Sequence, residues 1–453
     1  MFISESISLT ESLLTCLLKQ PYVAFLDCNS QQGNVKEQSI IGLDPKYKFF
    51  VKDDQIIVKE DNKDTVYKNQ NIFNIIENYI EPCKENECNQ DGFASGFIGM
   101  FTYESARNLN DFSWLKKAEY PEVIGGIYDR YIIIDHQKEV ASFVSSRLYG
   151  RDYIKFQAIL DNLRDVDSAF VVTDKIDYPD KQEYKKKIKK ILEYIKQGDT
   201  YQVNVSMPYS VKVNGCLSTM YHVLRQVSPA PYSAYLNYED YHILSSSPEL
   251  FFQKIGSRII TKPIKGTIRR GSSIAEDQYQ KELLVQSSKD QAELLMIVDL
   301  ERNDLNKICQ TGTVVVKQLR EIKAYQYVHH GVATIEGELK EGVNFFEIMK
   351  ALFPGGSITG APKKRSMEII DECEIGERGP YTGCVGYISG NKNMIFNIAI
   401  RTLYTNKNRL FCHAGGGIVA DSDSDFEWQE CEIKAKGMLD SLLRFNKTES
   451  LSK

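Results

Sequence analysis

Two stretches carry acids at helical spacing. In "KDQAELLMIVDLERND", Asp290 and Glu293 lie three residues apart and, at 100° per residue, share a face with Leu294 and Ile297. In "SDFEWQECEIKAKGMLDSLL", Glu427, Glu430 and Lys434 fall beside an apolar stripe of Cys431, Ala435, Met438 and Leu442. A carboxylate pointing where the core points is costly unless a cation or hydrogen-bond donors compensate it. Two such helices facing each other would gather up to four carboxylates, and oxygen-only ligands suit magnesium better than zinc. Spacing alone leaves an alternative open, because Glu430 and Lys434 also fit an ordinary i,i+4 surface pair.

A lysine poses the next question. In "TKPIKGTIRRG", Lys265 stands between Ile264 and Gly266 at what reads as the end of a strand entering a tight turn. By residue type alone it is a solvated surface charge. The triplet Gly415, Gly416 and Gly417 in "AGGGIV" has the composition of a backbone-amide nest for an anion. "FPGGSITGAPKKR" has Walker spacing at Gly355 and Gly360, but Ala361 and Pro362 stand where Lys and Ser/Thr belong, which excludes a nucleotide phosphate loop. "TGCVGY" looks like a glutaminase nucleophile turn, yet no matching histidine and acid follow, so Cys384 reads as a strand-core cysteine.

The elements that must position these groups are legible in outline. The chain of 453 residues suits two domains or one large interleaved α+β unit, and 42% hydrophobic content is ample for burial. Charged residues make up 26% with a net charge of −5, which offers no basic face for a phosphate backbone and argues against nucleic acid as a partner. Ten cysteines without CxxC pairs, no basic-then-apolar leader and no apolar run near 18 residues point to a reducing cytoplasm and no membrane association. Cys83 and Cys88 are the closest pair, and their spacing fits no zinc pattern.

Residues 1–150 alternate strand-like runs ("YVAFLD", "QSIIGL", "QIIVKE", "IYDRYIIID") with turn residues, and "EPCKENECNQDG" reads as loop. A helix follows in "DYPDKQEYKKKIKKILEYIKQGD", with Asp180 and Glu183 in capping-box positions, Ile188, Ile191, Leu192 and Ile195 on one face, and Gly198 as the stop. Its lysine run reads as a solvated face.

Taken together, "SPELFF", "PIKGTIRRG", "KDQAELLMIVDLERNDL", "VHHGVATIEG", "FPGGSITGAPKKRSMEIID", "GCVGYIS", "IAIRTL" and "AGGGIVADSDSDFEWQE", followed by Lys434, resemble in content and order the chorismate-utilising enzymes. That group comprises the synthase subunits for anthranilate, aminodeoxychorismate, isochorismate and salicylate. The likeness is strong over residues 180–445 and looser before, where "FLDCNSQQGNVKEQSIIGLDP" resembles the family's opening strands.

The resemblance implies an α+β fold, a four-layer α/β/β/α sandwich whose N- and C-terminal parts interleave around a cleft. It divides the chain into an N-terminal region, 1–150, and a chorismate-binding catalytic region, 175–445. It implies chorismate as substrate and Mg2+ as cofactor, with Glu293 and Glu430 as direct ligands and Asp290 and Glu427 as supporting acids. Arg401 and Tyr387 match residues that clasp the enolpyruvyl carboxylate. Gly266, Thr267, Gly415 and Gly417 match positions that hold substrate carboxylates, Lys434 lies near the ring carboxylate, and His330 flanks the ring. Gly331 and Ala333 depart from the leucine and serine usual beside that histidine.

Position-specific differences bear on the product. Hydrating members carry a lysine base where this chain has Gln202, which argues against water as nucleophile. Anthranilate-forming members typically read P-I-A-G-T, whereas aminodeoxychorismate-forming members resemble "PIKGT", which makes Lys265 the candidate covalent nucleophile. A lysine amine acts only when neutral, so its pKa must fall from about 10.4 through desolvation or nearby positive charge. Glu249 matches the general acid that protonates the departing C4 hydroxyl, and an apolar setting raises a carboxyl pKa in the sense that role requires.

No glutaminase pattern occurs in the chain, so the resemblance implies a separate glutamine amidotransferase partner that supplies ammonia. A tryptophan pocket known in the family maps onto Pro231, Tyr232 and Ser233 on one wall and onto Cys28 on the other, where Cys28, Asn29 and Glu37 depart from the usual pattern. The alternatives are an anthranilate-forming subunit and a non-catalytic chorismate-binding subunit.

Overall fold

Helix signals in the sequence are taken up locally. The computed structural model describes residues 3–28, 38–60, 63–81, 92–109, 112–145, 169–325 and 327–445. Among them are nine α-helices: α1 (Glu11–Leu18), α2 (Ile72–Ile80), α3 (Lys181–Gln197), α4 (Leu217–Val227), α5 (Ile274–Gln286), α6 (Ser288–Ile308), α7 (Phe345–Leu352), α8 (Lys363–Cys373) and α9 (Ser424–Leu443). The Asp180 carboxylate accepts from the Glu183 N–H at 2.9 Å, a cap that contributes about 1 kcal/mol, and Gly198 ends α3 at φ +85°. The lysine run on α3 is not wholly solvated. Lys187 is buried with its Nζ 3.2 Å from Met207 Sδ and 3.7 Å from Glu183, because its stem packs beside Tyr184 and Ile188 on the apolar face.

The strands form two antiparallel sheets of twelve among the described residues. The first runs Ile3–Ile7, Val140–Ser145, Arg130–Asp135, Gln38–Gly42, Ala24–Asp27, Tyr232–Tyr238, Tyr241–Ser247, Thr402–Asn406, Arg409–Ile418, Gln202–Gly215 and Phe170–Val172, with Gly360–Ala361 also on Gln202–Gly215. The second runs Ile264–Arg269, Val328–Glu338, Arg258–Lys262, Leu250–Ile255, Met394–Asn397, Cys384–Ser389, Gly96–Phe101, Val123–Tyr128, Tyr47–Lys52, Gln55–Glu60 and Lys63–Lys68, with Val315–Ala324 also on Val328–Glu338. Both sheets therefore interleave strands from before residue 146 with strands from after residue 169. The run "IYDRYIIID" is not one strand: Val123–Tyr128 belongs to the second sheet and Arg130–Asp135 to the first, so the chain changes sheet at Asp129.

Three apolar contact layers account for the four layers of structure. Phe73, Phe252, Leu294, Val298 and Phe345 lie between the second sheet and its covering helices. Tyr184, Ile188, Val205, Leu224 and Met438 do the same for the first sheet. Ile98, Met100, Leu236, Val385 and Tyr387 fill the space between the sheets. At roughly 1.5–3 kcal/mol per fully buried large apolar side chain, these layers dominate the stabilisation. Cys384, in the strand Cys384–Ser389, is fully buried, and burial pushes its thiol well up, as a strand-core cysteine requires. The "EPCKENECNQDG" stretch, including Cys83 and Cys88, lies almost entirely outside the described residues. Among the described residues no helix is long and apolar enough to cross a membrane.

Candidate active site

Chain crossings between the sheets place two of the charged groups. Glu249 sits where the chain leaves Tyr241–Ser247 of the first sheet for Leu250–Ile255 of the second. Arg401 sits where it returns from Met394–Asn397 to Thr402–Asn406. The two crossings are tied together: the Ile398 N–H donates to the Glu249 carbonyl at 3.0 Å, and the Ser247 hydroxyl donates to the Ile398 carbonyl at 2.6 Å. Arg401 adopts φ +51°, a left-handed conformation that costs a non-glycine residue of order 1 kcal/mol.

Lys265 is carried by a strand and not by a terminating turn. Ile264–Arg269 continues through it, and the pairing slips between Lys265 (opposite Gly331) and Thr267 (opposite His330). The slip is a β-bulge at Gly266, whose φ of +81° only glycine adopts without strain. A bulge re-aims the side chain beside it, and Lys265 is directed into a cavity of about 150 Å3. Opposite stands the first sheet's Arg409–Ile418. Gly415–Gly417 lie within that strand and pair with Ser206, Val205 and Asn204 on one side, while on the other side the pairing with Thr402–Asn406 stops at Cys412 and the Gly415 carbonyl accepts from Lys434. Absence of a side chain is their contribution. A Cβ at Gly417 would come 3.1 Å from Lys265 Nζ and 2.8 Å from Gln202 Nε2.

The two acid-bearing helices close the same cavity. Leu294 and Ile297 of α6 and Cys431, Ala435 and Met438 of α9 are buried as the spacing requires, which turns Asp290, Glu293, Glu427, Glu430 and Lys434 onto the cavity wall. Glu249, Gly266, Thr267, His330, Arg401, Gly415 and Gly417 complete the set of sequence-identified residues that line it. Tyr387 does not join them. It faces the core between the sheets, its ring 5.3 Å from Phe93, because alternation along Cys384–Ser389 turns it away. Tyr381, six residues earlier, lines the cavity instead, its ring stacked 5.1 Å from that of His413. Ser357, Asn204, His413 and Lys289 are further lining residues that sequence reasoning passed over.

The charges are unevenly satisfied. Lys434 donates to Glu430 at 2.6 Å and to the Gly415 carbonyl at 3.0 Å. Burial pulls its pKa down, but the Glu430 carboxylate more than offsets this and the net shift is upward. Lys265 Nζ has no hydrogen-bond or ion-pair partner among the described residues. Burial lowers its pKa; the Glu293 charge opposes that shift and the Lys434 ammonium adds to it. Burial raises the Glu249 carboxyl to about 7, against the hydroxyl of Ser357 donating to its Oε1 at 2.6 Å and the Ile264 N–H at 3.4 Å.

His330 has a defined tautomer. Arg401 can only donate, so Nε2 of His330, 2.8 Å from the guanidinium, is an acceptor and the ring proton sits on Nδ1. That proton faces Thr267 Oγ1 at 3.0 Å and the Gly266 carbonyl at 3.3 Å. Burial, and then the Arg401 charge, hold the imidazole neutral with a pKa well below the usual range. His330 thus fastens the guanidinium to the Lys265 bulge.

Among the described residues no three acids, histidines or cysteines converge into a ready-made metal cluster. Cation demand is nevertheless visible. Burial raises both Glu293 and Glu427, and the Lys289 ammonium stands 3.9 Å from Glu293 and 3.7 Å from Glu427. Carboxylate oxygens are the donors magnesium takes, and the side of the cavity where Lys289 now stands between Glu293 and Glu427 offers them, so the residues present fit that ion.

Of the residues expected to wall a tryptophan pocket, Ser233 pairs with Asp27, next to Cys28, whose N–H donates to Ser39 at 2.9 Å. Ser233 Oγ donates to the Ala230 carbonyl at 3.0 Å, and Pro231 and Tyr232 lead into that strand. Asn29 and Glu37 lie outside the described residues.

Similarities to known proteins cover the whole of this arrangement. The chain is 34% identical over 416 residues to aminodeoxychorismate synthase component 1 of Bacillus subtilis, covering 88% of each, and 39% identical over 354 residues to the protein of that name from Escherichia coli, covering 77% of each. It is also 36% identical over 368 residues to anthranilate synthase component 1 of Saccharolobus solfataricus, covering 81% of this chain and 84% of that one. Anthranilate synthase component I from Streptococcus pneumoniae superimposes with a TM-score of 0.78 at 25% identity over 90% of this chain and 93% of that one. The menaquinone-specific isochorismate synthase of Escherichia coli shares the fold, with a TM-score of 0.75 at 18% identity over 98% and 94%. A family model for chorismate binding enzymes matches residues 26–440, a span that holds the bulge, both sheet crossings and every acid that α6 and α9 turn onto the cavity, and the chain belongs to that family.

Proposed function

We propose that this chain is the synthase component of an aminodeoxychorismate synthase, converting chorismate and ammonia to 4-amino-4-deoxychorismate through a covalent adduct on Lys265. One observation carries the reading: a lysine amine without a partner, its pKa lowered by burial, aimed into a cavity beside a carboxyl that is half protonated near pH 7. The similarity to two proteins named aminodeoxychorismate synthase component 1 supports it.

The steps balance. The neutral Lys265 amine attacks C2, the ring double bond shifts, and the C4 hydroxyl leaves as water with the proton of Glu249. Ammonia then adds at C4, the double bond returns, and the lysine leaves as a neutral amine. The ammonium formed at C4 returns a proton to Glu249. Arg401, held by His330, binds the enolpyruvyl carboxylate with Tyr381 on the adjoining wall, and Lys434 faces the ring carboxylate. Glu293 and Glu430 would hold magnesium with Asp290 and Glu427 behind them, and when bound the ion supplies positive charge to the ring carboxylate. Chain identity with relatives called component 1 supports a second component, a glutamine amidotransferase, as ammonia source. Cys28, Pro231, Tyr232 and Ser233 remain the place where tryptophan binding is to be sought. Residues 1–150 and 175–445 act as one unit in this reading, since the cavity lies where the sheets they share meet.

A second reading, anthranilate synthase component, has a specific observation in its favour: 36% identity over most of the chain to a protein of that name. Purified chain, chorismate, magnesium and ammonium, resolved by chromatography with and without an added aminodeoxychorismate lyase, separates them. Lyase-dependent 4-aminobenzoate is the expected result. Anthranilate without lyase would make Lys265 a bystander, and chorismate binding without turnover would point to a non-catalytic subunit.

A further inference from the structure

A hydroxyl in the "FPGGSITGAPKKR" segment touches the acid of the proposed reaction. We propose that Ser357 is a positioning residue for Glu249: it fixes Oε1 as the acceptor oxygen, so that the transferable proton resides on Oε2. This inference rests on the general-acid reading of Glu249 given above.

Three observations converge on it. The first is contact. Ser357 Oγ lies 2.6 Å from Glu249 Oε1, the Ile264 N–H approaches the same oxygen at 3.4 Å, and both side chains are buried. The buried Ser357 hydroxyl has no other acceptor for its proton among the described residues, and the Ile264 N–H can only donate, so both protons point at Oε1 and make it the poorer place for the acid proton. Oε2 has no such donor among the described residues, so the neutral acid carries its proton there.

The second is rigidity. The segment that presents Ser357 is fastened along its length: Thr359 Oγ1 donates to the Gly355 carbonyl at 2.9 Å, the Arg378 guanidinium to the Ile358 carbonyl at 3.0 Å, and the Asn204 N–H to the Thr359 carbonyl at 2.8 Å. At its far end Lys363 reaches Asp304 of α6 at 2.7 Å and the Leu352 carbonyl at 2.8 Å. A hydroxyl on so constrained a backbone holds its partner to a fixed geometry, which is what preorganisation of a catalytic acid requires.

The third is placement. Ser357 lines the same cavity as Glu249 and Lys265, so the restrained carboxyl faces the attacking amine and not a sealed core. Ser357 donates its proton toward the carboxylate form, and so acts against the burial that raises Glu249.

The sign of the test follows. Turnover needs protonated Glu249 and declines as pH rises through its pKa. Replacing Ser357 by Ala removes a donor to the ionised form, so the pKa rises and the alkaline limb of the kcat profile moves up, by about one pH unit. With the proton free to occupy either oxygen, kcat at the optimum falls about tenfold while the KM for chorismate stays within about twofold. Ser357→Thr, which keeps the hydroxyl, restores the limb to its original position. Infrared difference titration of the Glu249 carboxyl, identified by its loss in Glu249→Gln, reads the same shift without turnover. An alkaline limb that stays in place in Ser357→Ala, with a carboxyl titration also unmoved, overturns the positioning role alone. An alkaline limb that persists in Glu249→Gln overturns the general-acid reading and this inference with it.

Discussion

Two lysines face one cavity and meet opposite fates. Lys434, on α9, is clamped by Glu430 at 2.6 Å and by a backbone carbonyl, and its pKa shifts up. Lys265, on the bulged strand Ile264–Arg269, has no partner among the described residues, and its pKa shifts down. Element type explains the difference. A helix places a carboxylate four residues away on the same face, so Lys434 carries its own counter-ion. A bulged strand offers no such neighbour; Lys265 meets the acids across the cavity, at distances where they bias its charge without pairing with it. The helical lysine is held toward its charged form, and the strand lysine is pushed toward the neutral form that the proposed attack needs.

The sharpest way to break this contrast is to remove the reactive member. Lys265→Ala is expected to lower formation of the C4-aminated product about a thousandfold or more, while chorismate binding by calorimetry remains; a rate within tenfold of wild type would place both lysines in the binding class. Freeing the paired member has the next largest effect. Glu430→Gln removes the counter-ion of Lys434 and one proposed magnesium ligand, and is expected to weaken magnesium binding roughly 10- to 100-fold in a direct titration. Unchanged affinity would remove Glu430 from the metal seat.

The pH dependence sharpens the comparison further. Neutral Lys265 is lost as pH falls through its lowered pKa, and protonated Glu249 is lost as pH rises through about 7, so turnover follows a bell. The Lys434 charge is one cause of the low Lys265 pKa. Lys434→Met therefore raises that pKa and moves the acid limb of residual turnover up, by about half a unit to one unit. An acid limb that does not move would show that the two lysines are electrostatically independent.

The smallest effects separate the two tyrosines. Tyr381→Phe is expected to raise the KM for chorismate about tenfold and Tyr387→Phe to leave it within about twofold, measured at saturating magnesium and ammonium. The reverse ranking would return Tyr387 to the site and imply that the strand Cys384–Ser389 rotates when substrate binds.

Much of the site was legible because helices translate spacing into direction. Asp290 with Glu293, and Glu427 with Glu430 and Lys434, share faces with buried apolar residues at known angles, and the structure keeps those faces. The strand residues were harder. Alternation says that Tyr387 faces one side of its sheet, but not whether that side looks into a core or a cavity, and the structure has it facing the core while Tyr381 lines the cavity. The run "IYDRYIIID" looked continuous because a change of sheet at Asp129 leaves no compositional mark. Ser357 carried no local signal at all, since its significance is a contact with Glu249 across 108 residues.

Local sequence set α3 with its caps, the acid faces of α6 and α9, the order of motifs that marks the family, and the residue types available for amine, acid and metal chemistry. These depend on local propensity and on spacing within single elements. Only the tertiary structure decided which lysine is paired, which tyrosine meets the cavity, and which oxygen of Glu249 is held. Each of those depends on how two sheets cross and on where a bulge directs one side chain, and both are set by contacts between residues far apart in the chain.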